Sequence, residues 1–269
     1  DNIAVNKNRL RNLIDGIIER GYHKRVSFEA PMRADNINAE ILDRLKAANF
    51  TLITYGLETA SEKLMEEMKK GETVAEVVHG INLAAERGFI VGTTLIFGFP
   101  NETWKDRWDA IKLVFKLPLD SVRFNILTPY PGTPVYAELM ERGEIHIKKD
   151  WENFSVQYMW AGNDLPYVPA GTNRYGLMFT TMAANLAYYL RPAGIRKLLT
   201  KRIAGGNVVV LPKGWIRTEY AWRMVRVGLY LMRRAAFVLL MLLLTAPAKW
   251  LGDKVRSLAT AHSSPRIRE

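Results

Sequence analysis

The chain contains no cysteine. That absence excludes a disulfide framework, and any zinc or iron–sulfur site whose thiolates come from these 269 residues alone. Histidine is nearly as scarce: His23, His79, His146 and His262 lie far apart, with no local metal-ligand spacing. Acid is scarce in the later part of the chain. Residues 151–269 carry 17 Lys and Arg against 5 Asp and Glu, whereas residues 1–150 carry 21 against 22. A net +12 therefore follows a net −1, and the two parts are expected to have different surroundings. The uncharged run 235–248 has 14 residues, short of the roughly 20 that cross a bilayer as a helix.

What is present reads as globular, with 48% hydrophobic and 24% charged residues. The opening stretch DNIAVNKNRLRNLIDGIIERG patterns as an amphipathic helix and not as a targeting segment, so cytoplasm is the expected compartment. The first residue is not Met, so a fragment is expected.

Through the first half, helical and strand patterns alternate. A helix is expected over about 5–20, with Leu10, Leu13, Ile14, Ile17 and Ile18 on one face and Gly21 closing it. KRVSFEAP (24–31) is a short strand, and NAEILDRLKAANF repeats Ile41, Leu42, Leu45 and Ala48 at helical spacing. TLITYGLE (51–58) is the next strand. A helix opens at Ser61 and closes at Gly71; Thr73, with Glu76 three residues on, caps a longer one that Gly88 ends. FIVGTTLIFGF, a helix over 103–117 and the strand DSVRFNIL (120–127) complete the series.

Alternation with near-continuous apolar strands predicts an α/β fold: a parallel sheet covered by helices, open or closed into a barrel. In such folds the ligand sits at the carboxyl ends of the strands. The informative positions are therefore Glu29, Glu58, Thr94 to Gly98 and Asn125 to Thr128.

Five signatures fall in a fixed order: R-x-D at Arg33 to Asp35, Y-G-L-E-T at Tyr55 to Thr59, K-K-G-E-T at Lys69 to Thr73, I-F-G-F-P-N-E-T at Ile96 to Thr103, and T-P-Y-P-G-T-P at Thr128 to Pro134. Each is weak alone. Together, over residues 1–145, they resemble the later half of a radical S-adenosylmethionine (SAM) catalytic domain, in the style of the branch that also carries a cobalamin-binding domain. The resemblance implies a partial (βα)6 barrel that binds SAM against a [4Fe-4S] cluster, with cobalamin as a further cofactor of that branch. It also implies a C-x3-C-x2-C loop, which this sequence lacks, so the chain is expected to be truncated and inactive by itself.

On that resemblance, Glu58 meets the ribose hydroxyls of SAM, since a carboxylate accepts two hydrogen bonds from a cis-diol; a strand-end pairing with Arg33 is the plain alternative. Lys70 reaches the methionyl carboxylate as a point charge, or is a solvated helix-end lysine. Arg33 pairs with Glu58 or with SAM. Thr94, Phe97 and Gly98 line the adenine and ribose pocket, Gly98 because it removes a side chain where a ligand approaches; the alternative is a tight strand-to-helix turn. Asn101 stands where the family pattern usually has glycine after the proline, and Asn tolerates positive φ. No protein base or nucleophile stands out, which suits chemistry carried by a cofactor.

From about residue 150 the pattern changes, giving domains at 1–149 and 150–269. DWENFSVQYMWAGNDLPYVPAG has four aromatics in its first eleven residues and reads as a lid or substrate-facing segment. NRYGLMFTTMAANLAYYLRP is a helix. Residues 191–234 hold 11 basic residues and one acid, Glu219, ahead of the apolar run 235–248. A spanning helix, a helix at an anionic membrane surface and a helix packed on the protein body all remain open; nucleic acid is disfavoured by the apolar run. Two functions follow: a radical SAM enzyme acting on a small-molecule or lipid-like substrate, peripheral at the membrane, or a non-catalytic membrane-associated scaffold that keeps a half-barrel.

Overall fold

Strand and helix change places where apolar spacing changes from two to three or four. A computed structural model of the chain describes residues 2–145, 154, 165–194, 226 and 228–246. The chain divides into two compact units, Asp1–Leu127 with Ala183–Val210 and Thr128–Met182 with Leu211–Glu269.

The first unit holds α1 (Lys7–Glu19), β1 (Phe28–Met32), α2 (Ala39–Ala47), β2 (Phe50–Glu58), α3 (Glu62–Glu67), α4 (Val74–Glu86), β3 (Ile90–Phe97), α5 (Trp104–Lys116) and β4 (Ser121–Ile126). Helix starts follow the capping chemistry. Thr73 and Thr103 close reciprocal capping boxes with Glu76 and Asp106, and Asn38 caps α2. Three expectations shift. A 3-10 turn over Tyr22–Lys24 follows Gly21, so β1 begins at Phe28, and Glu29 stands second in the strand and not at its end. The helix before Gly71 stops earlier, because Lys69 already turns left-handed at φ 52°. On α1, Leu10, Ile14 and Ile17 are buried while Leu13 and Ile18 are exposed, so the apolar stripe is narrower than its spacing predicts.

The strands pair in parallel in the order β1-β2-β3-β4 and the sheet does not close. All four carboxyl ends therefore lie along one edge, as the alternation predicts. Along β2, Ile53, Tyr55 and Leu57 are buried, and between them Thr54, Gly56 and Glu58 are half-buried. Helices α2 and α4 pack on β2, and α4 also packs on β3. A methyl on Gly80 of α4 would stand 2.9 Å from Ala34 Cβ, so this glycine lets the helix approach the turn after β1 closely. The other face of the sheet is left half-open, which the near-continuous apolar strands did not announce.

Helix α7 (Arg174–Leu190) has its residues in both units. Its last two turns run along the free edge of β4. Asn185 donates to the carbonyl of Phe124 (2.8 Å) and accepts from its N–H (3.2 Å), and the Tyr189 hydroxyl does the same for Val122 at 2.9 and 3.3 Å. The second unit holds α6 (Pro134–Glu141), capped by Thr133, and α8 (Gly228–Ala246), with Leu139, Phe154, Leu165, Tyr167, Leu177 and Val238 buried. The aromatic segment over 150–164 (save Phe154), the basic stretch over 195–225 and residues 247–269 lie outside the described residues.

Candidate functional site

The half-open face of the sheet floors a cleft of about 530 Å³. Alternate residues of β2, namely Leu52, Thr54, Gly56 and Glu58, line it with Thr94 of β3 and Arg123 of β4. The stretch from Glu29 to Arg33 forms one side, and Lys70 and Glu72, from the connection between α3 and α4, form another. Small residues make the room. A methyl on Gly92 would stand 2.8 Å from Ser121 Oγ and 3.1 Å from Thr54 Oγ1.

Glu58 ends β2 at φ 61°, where the register with β3 slips. Such a bulge re-aims a side chain, at the cost of holding a non-glycine residue left-handed. Burial pushes the Glu58 carboxyl above its ordinary value, while Lys70 and the hydroxyl of Thr94 (3.4 Å) pull it back. Lys70 Nζ donates to the Gly56 carbonyl and lies 3.6 Å from Glu58 Oε1 and 3.7 Å from Glu72 Oε2. A methyl on Gly56 would clash with Glu58 Oε1 and stand 3.1 Å from that ammonium, so the glycine of Y-G-L-E is what lets both the carboxylate and the lysine lie across the strand.

Glu72 is the residue sequence reasoning passed over. Its side chain is 1% exposed, and Oε1 accepts from the N–H groups of Ala34 (2.6 Å) and Asp35 (3.3 Å). Oε2 accepts no hydrogen bond, and faces Lys70 and Arg33 Nε at 3.7 and 3.9 Å. Its only sequence signal was its place inside K-K-G-E-T.

The predicted residues fare differently. Glu58, Lys70, Thr94 and Arg33 meet at the cleft. Arg33 does not pair with Glu58; its guanidinium grips Asp35 at 2.7 Å and the carbonyls of Lys70 (2.5 Å) and Gly71 (3.1 Å). Lys70 is no solvated helix-end lysine, because Glu58, Glu72 and the Gly56 carbonyl enclose it. Phe97 and Gly98 do not line the cleft. Phe97 is buried, its ring 5.5 Å from that of Phe124. Gly98 turns at φ 96° and gives its N–H to Glu102 at 2.5 Å, and Arg107 binds the same carboxylate at 2.7 Å. The strand-to-helix turn is thus closed by a buried ion pair that the sequence reading did not find.

Among the described residues no group of three or more His, Cys, Asp or Glu is arranged to hold a metal ion. The cleft offers three cations, Arg33, Lys70 and Arg123, and three carboxylates, Glu29, Glu58 and Glu72. A lining of both signs suits a ligand that itself carries both.

Residues 4–114 match the sequence profile of the Radical SAM superfamily. It is similar to an uncharacterized methyltransferase of Pyrococcus horikoshii, 27% identical over 156 residues, which are 58% of this chain and 33% of that protein. It is also similar to the threonylcarbamoyladenosine tRNA methylthiotransferase of Danio rerio, 33% identical over 102 residues, 37% of this chain and 18% of that protein. The chain thus spans a third or less of the length of these relatives. Among solved structures, the radical S-adenosylmethionine methyltransferase TsrM from Kitasatospora setae, with tryptophan and a SAM analog bound, superposes with a TM-score of 0.50 at 21% identity, covering 54% of this chain and 29% of that one. That likeness shows a shared fold, the open partial barrel of radical SAM proteins.

Proposed function

We propose that this chain is part of a radical SAM enzyme, and that the cleft on the open face of its sheet binds SAM. The observation that carries the reading is the array of Glu58, Lys70 and Glu72 around Gly56. It presents a carboxylate beside Thr94, an ammonium, and a buried carboxylate oxygen that accepts no hydrogen bond. SAM brings a cis-diol, a carboxylate, an ammonium and a sulfonium, which call for acceptors and charges of both signs, and these residues supply them. Glu58 accepts from the diol, Lys70 meets the carboxylate, and Glu72 adds negative charge toward the cationic end. When bound in enzymes of this superfamily, SAM supplies radical or methyl-transfer chemistry.

The donor set for a [4Fe-4S] cluster does not fit this chain, which has no thiolate. The relatives are named as methyl- and methylthiotransferases, and TsrM is also described with cobalamin bound. These names support transfer of a one-carbon or thiomethyl group, with cobalamin as a proposed cofactor of the whole enzyme and the cytoplasm as its proposed setting. The division into a barrel part, 1–149, and an aromatic and basic, mainly helical part, 150–269, belongs to the same proposal.

The test is calorimetric titration of the chain with SAM and with S-adenosylhomocysteine. Glu58→Gln and Lys70→Met should each weaken binding by about 1–2 kcal/mol, on the order of tenfold, with circular dichroism unchanged. Gly56→Ala should do the same by pushing the Glu58 carboxylate and the lysine aside. Equal affinity in all three variants would assign the array to structure alone.

A further inference from the structure

Helix α8 is 19 residues long and has the length and composition of a membrane-crossing helix, yet Val238 alone among its residues is fully buried. The sequence pattern understated it, since the helix begins at Gly228 and takes in Arg233 and Arg234. Among the described residues a single stripe holds it to the second unit. Val238 is fully buried, Leu242 lies 3.7 Å from where a methyl on Gly176 would stand, and Thr245 accepts from the Asn173 amide at 3.1 Å. Positions 238, 242 and 245 repeat at helical spacing, so one narrow face is used. Leu229, Met232, Phe237, Leu240, Leu243 and Leu244 remain exposed, from 49% to 63%. Exposed apolar surface of this extent marks a binding face.

Charge selects the occupant. Arg226, Arg233 and Arg234 cluster at the amino-terminal end, and residues 226–246 contain no acid. Residues 191–234 as a whole hold 11 basic residues against one. Basic residues next to an exposed apolar helix complement anionic headgroups over acyl chains. The arginines within the helix and the stripe that ties it to Asn173 and Gly176 both oppose a crossing, because a charge at the bilayer centre is costly. We infer that α8 is a membrane-surface helix, seated in the interface of an anionic bilayer with its 238–242–245 stripe turned to the protein. The inference does not depend on the SAM reading.

The experiment is co-sedimentation of the whole chain with phosphatidylcholine vesicles, with and without phosphatidylglycerol. Binding should require the anionic lipid, weaken at high salt and persist in part, because burial of apolar surface is not screened. Arg233→Gln with Arg234→Gln should lower partition roughly fivefold per arginine. Leu240→Gln, Leu243→Gln and Leu244→Gln, all outside the packed stripe, should lower it on the order of tenfold each, with circular dichroism unchanged. Three results overturn the inference: recovery in the supernatant with every vesicle, self-association in light scattering that the leucine variants abolish, or resistance to carbonate extraction from cell membranes, which means a span.

Discussion

The ammonium of Lys70 lies 3.7 Å from the Glu72 carboxylate across the tight turn at Gly71, which takes φ 68°. Glu72 is held from the other side by the N–H groups of Ala34 and Asp35. The buried carboxylate therefore ties the loop after β1 to the loop after α3 and fixes where the lysine points. Glu72→Gln keeps an acceptor for the Ala34 N–H but removes the charge. Stability should change by less than about 1 kcal/mol, while Glu72→Ala should cost about 1–3 kcal/mol by leaving that N–H unpaired. The glutamine variant should also lose preference for SAM over neutral S-adenosylhomocysteine, by about fivefold, since a nearby carboxylate favours the cation. Calorimetric affinities for the two ligands measure the ratio; a purely structural role leaves it unmoved.

Glu58 makes ligand binding depend on pH. Burial holds its carboxyl above the ordinary value of 4.5, against the pull of Lys70 and Thr94. The charged acceptor exists above that raised value and is lost as pH falls through it. SAM affinity should therefore fall on acidification, starting above pH 4.5, and Glu58→Gln should flatten the profile. The free chain responds with the opposite sign. The folded state takes up this proton before the unfolded one does, so between the raised value and 4.5 the destabilisation from burying the charge eases as pH falls. Titrations at stepped pH, paired with urea unfolding at the same values, separate the two effects.

The order of strands and helices was legible because apolar period and capping residues agree in nearly every segment: Thr73 with Glu76, Thr103 with Asp106, and Ile41, Leu42 and Leu45 on one face of α2. Glu58 and Thr94 were legible as site candidates because a parallel sheet brings its strand ends to one edge, and Lys70 through the resemblance carried by K-K-G-E-T. What one sequence could not show was partner choice. Arg33 was expected against Glu58, yet it takes Asp35 and two carbonyls, because a five-donor fork is better met by a carboxylate two residues away and by the turn at Gly71. Gly98 was expected to line the ligand pocket, but its N–H goes to Glu102, four residues on. Nothing in local spacing distinguishes a carboxylate that faces a cleft from one that folds back on its own turn.

That Glu102 carboxylate carries the next prediction. It and Arg107 are 2% and 6% exposed and bind at 2.7 Å, with the Gly98 N–H on the same oxygen. Breaking one side of a buried pair strands the other, so Glu102→Ala should destabilise the protein by about 3–5 kcal/mol. Glu102→Gln with Arg107→Met removes both charges and keeps an acceptor for Gly98, and should cost clearly less than the two single changes added together. A double-mutant cycle from urea unfolding gives the coupling. Additive costs would mean the turn is held by packing alone.

The final prediction concerns the edge of the sheet. An exposed strand edge invites pairing with another chain, and here α7 covers that of β4 with side chains. Asn185 and Tyr189 are four residues apart, about 6 Å along a helix, and their partners Phe124 and Val122 are two apart, about 6.6 Å along a strand. The two rises match, so residues one helical turn apart serve alternate backbone positions, α7 running antiparallel to β4. The helix thereby replaces the hydrogen bonds of a neighbouring strand. Asn185→Ala leaves the N–H and C=O of Phe124 without these partners and should cost about 2–3 kcal/mol. Hydrogen exchange at the Phe124 amide should speed up more than at Val122, which Tyr189 still holds, and Asn185→Asp should protect Phe124 in part because an acceptor remains. Equal exchange at both amides in wild type and variants would show that packing, not these bonds, seals the edge.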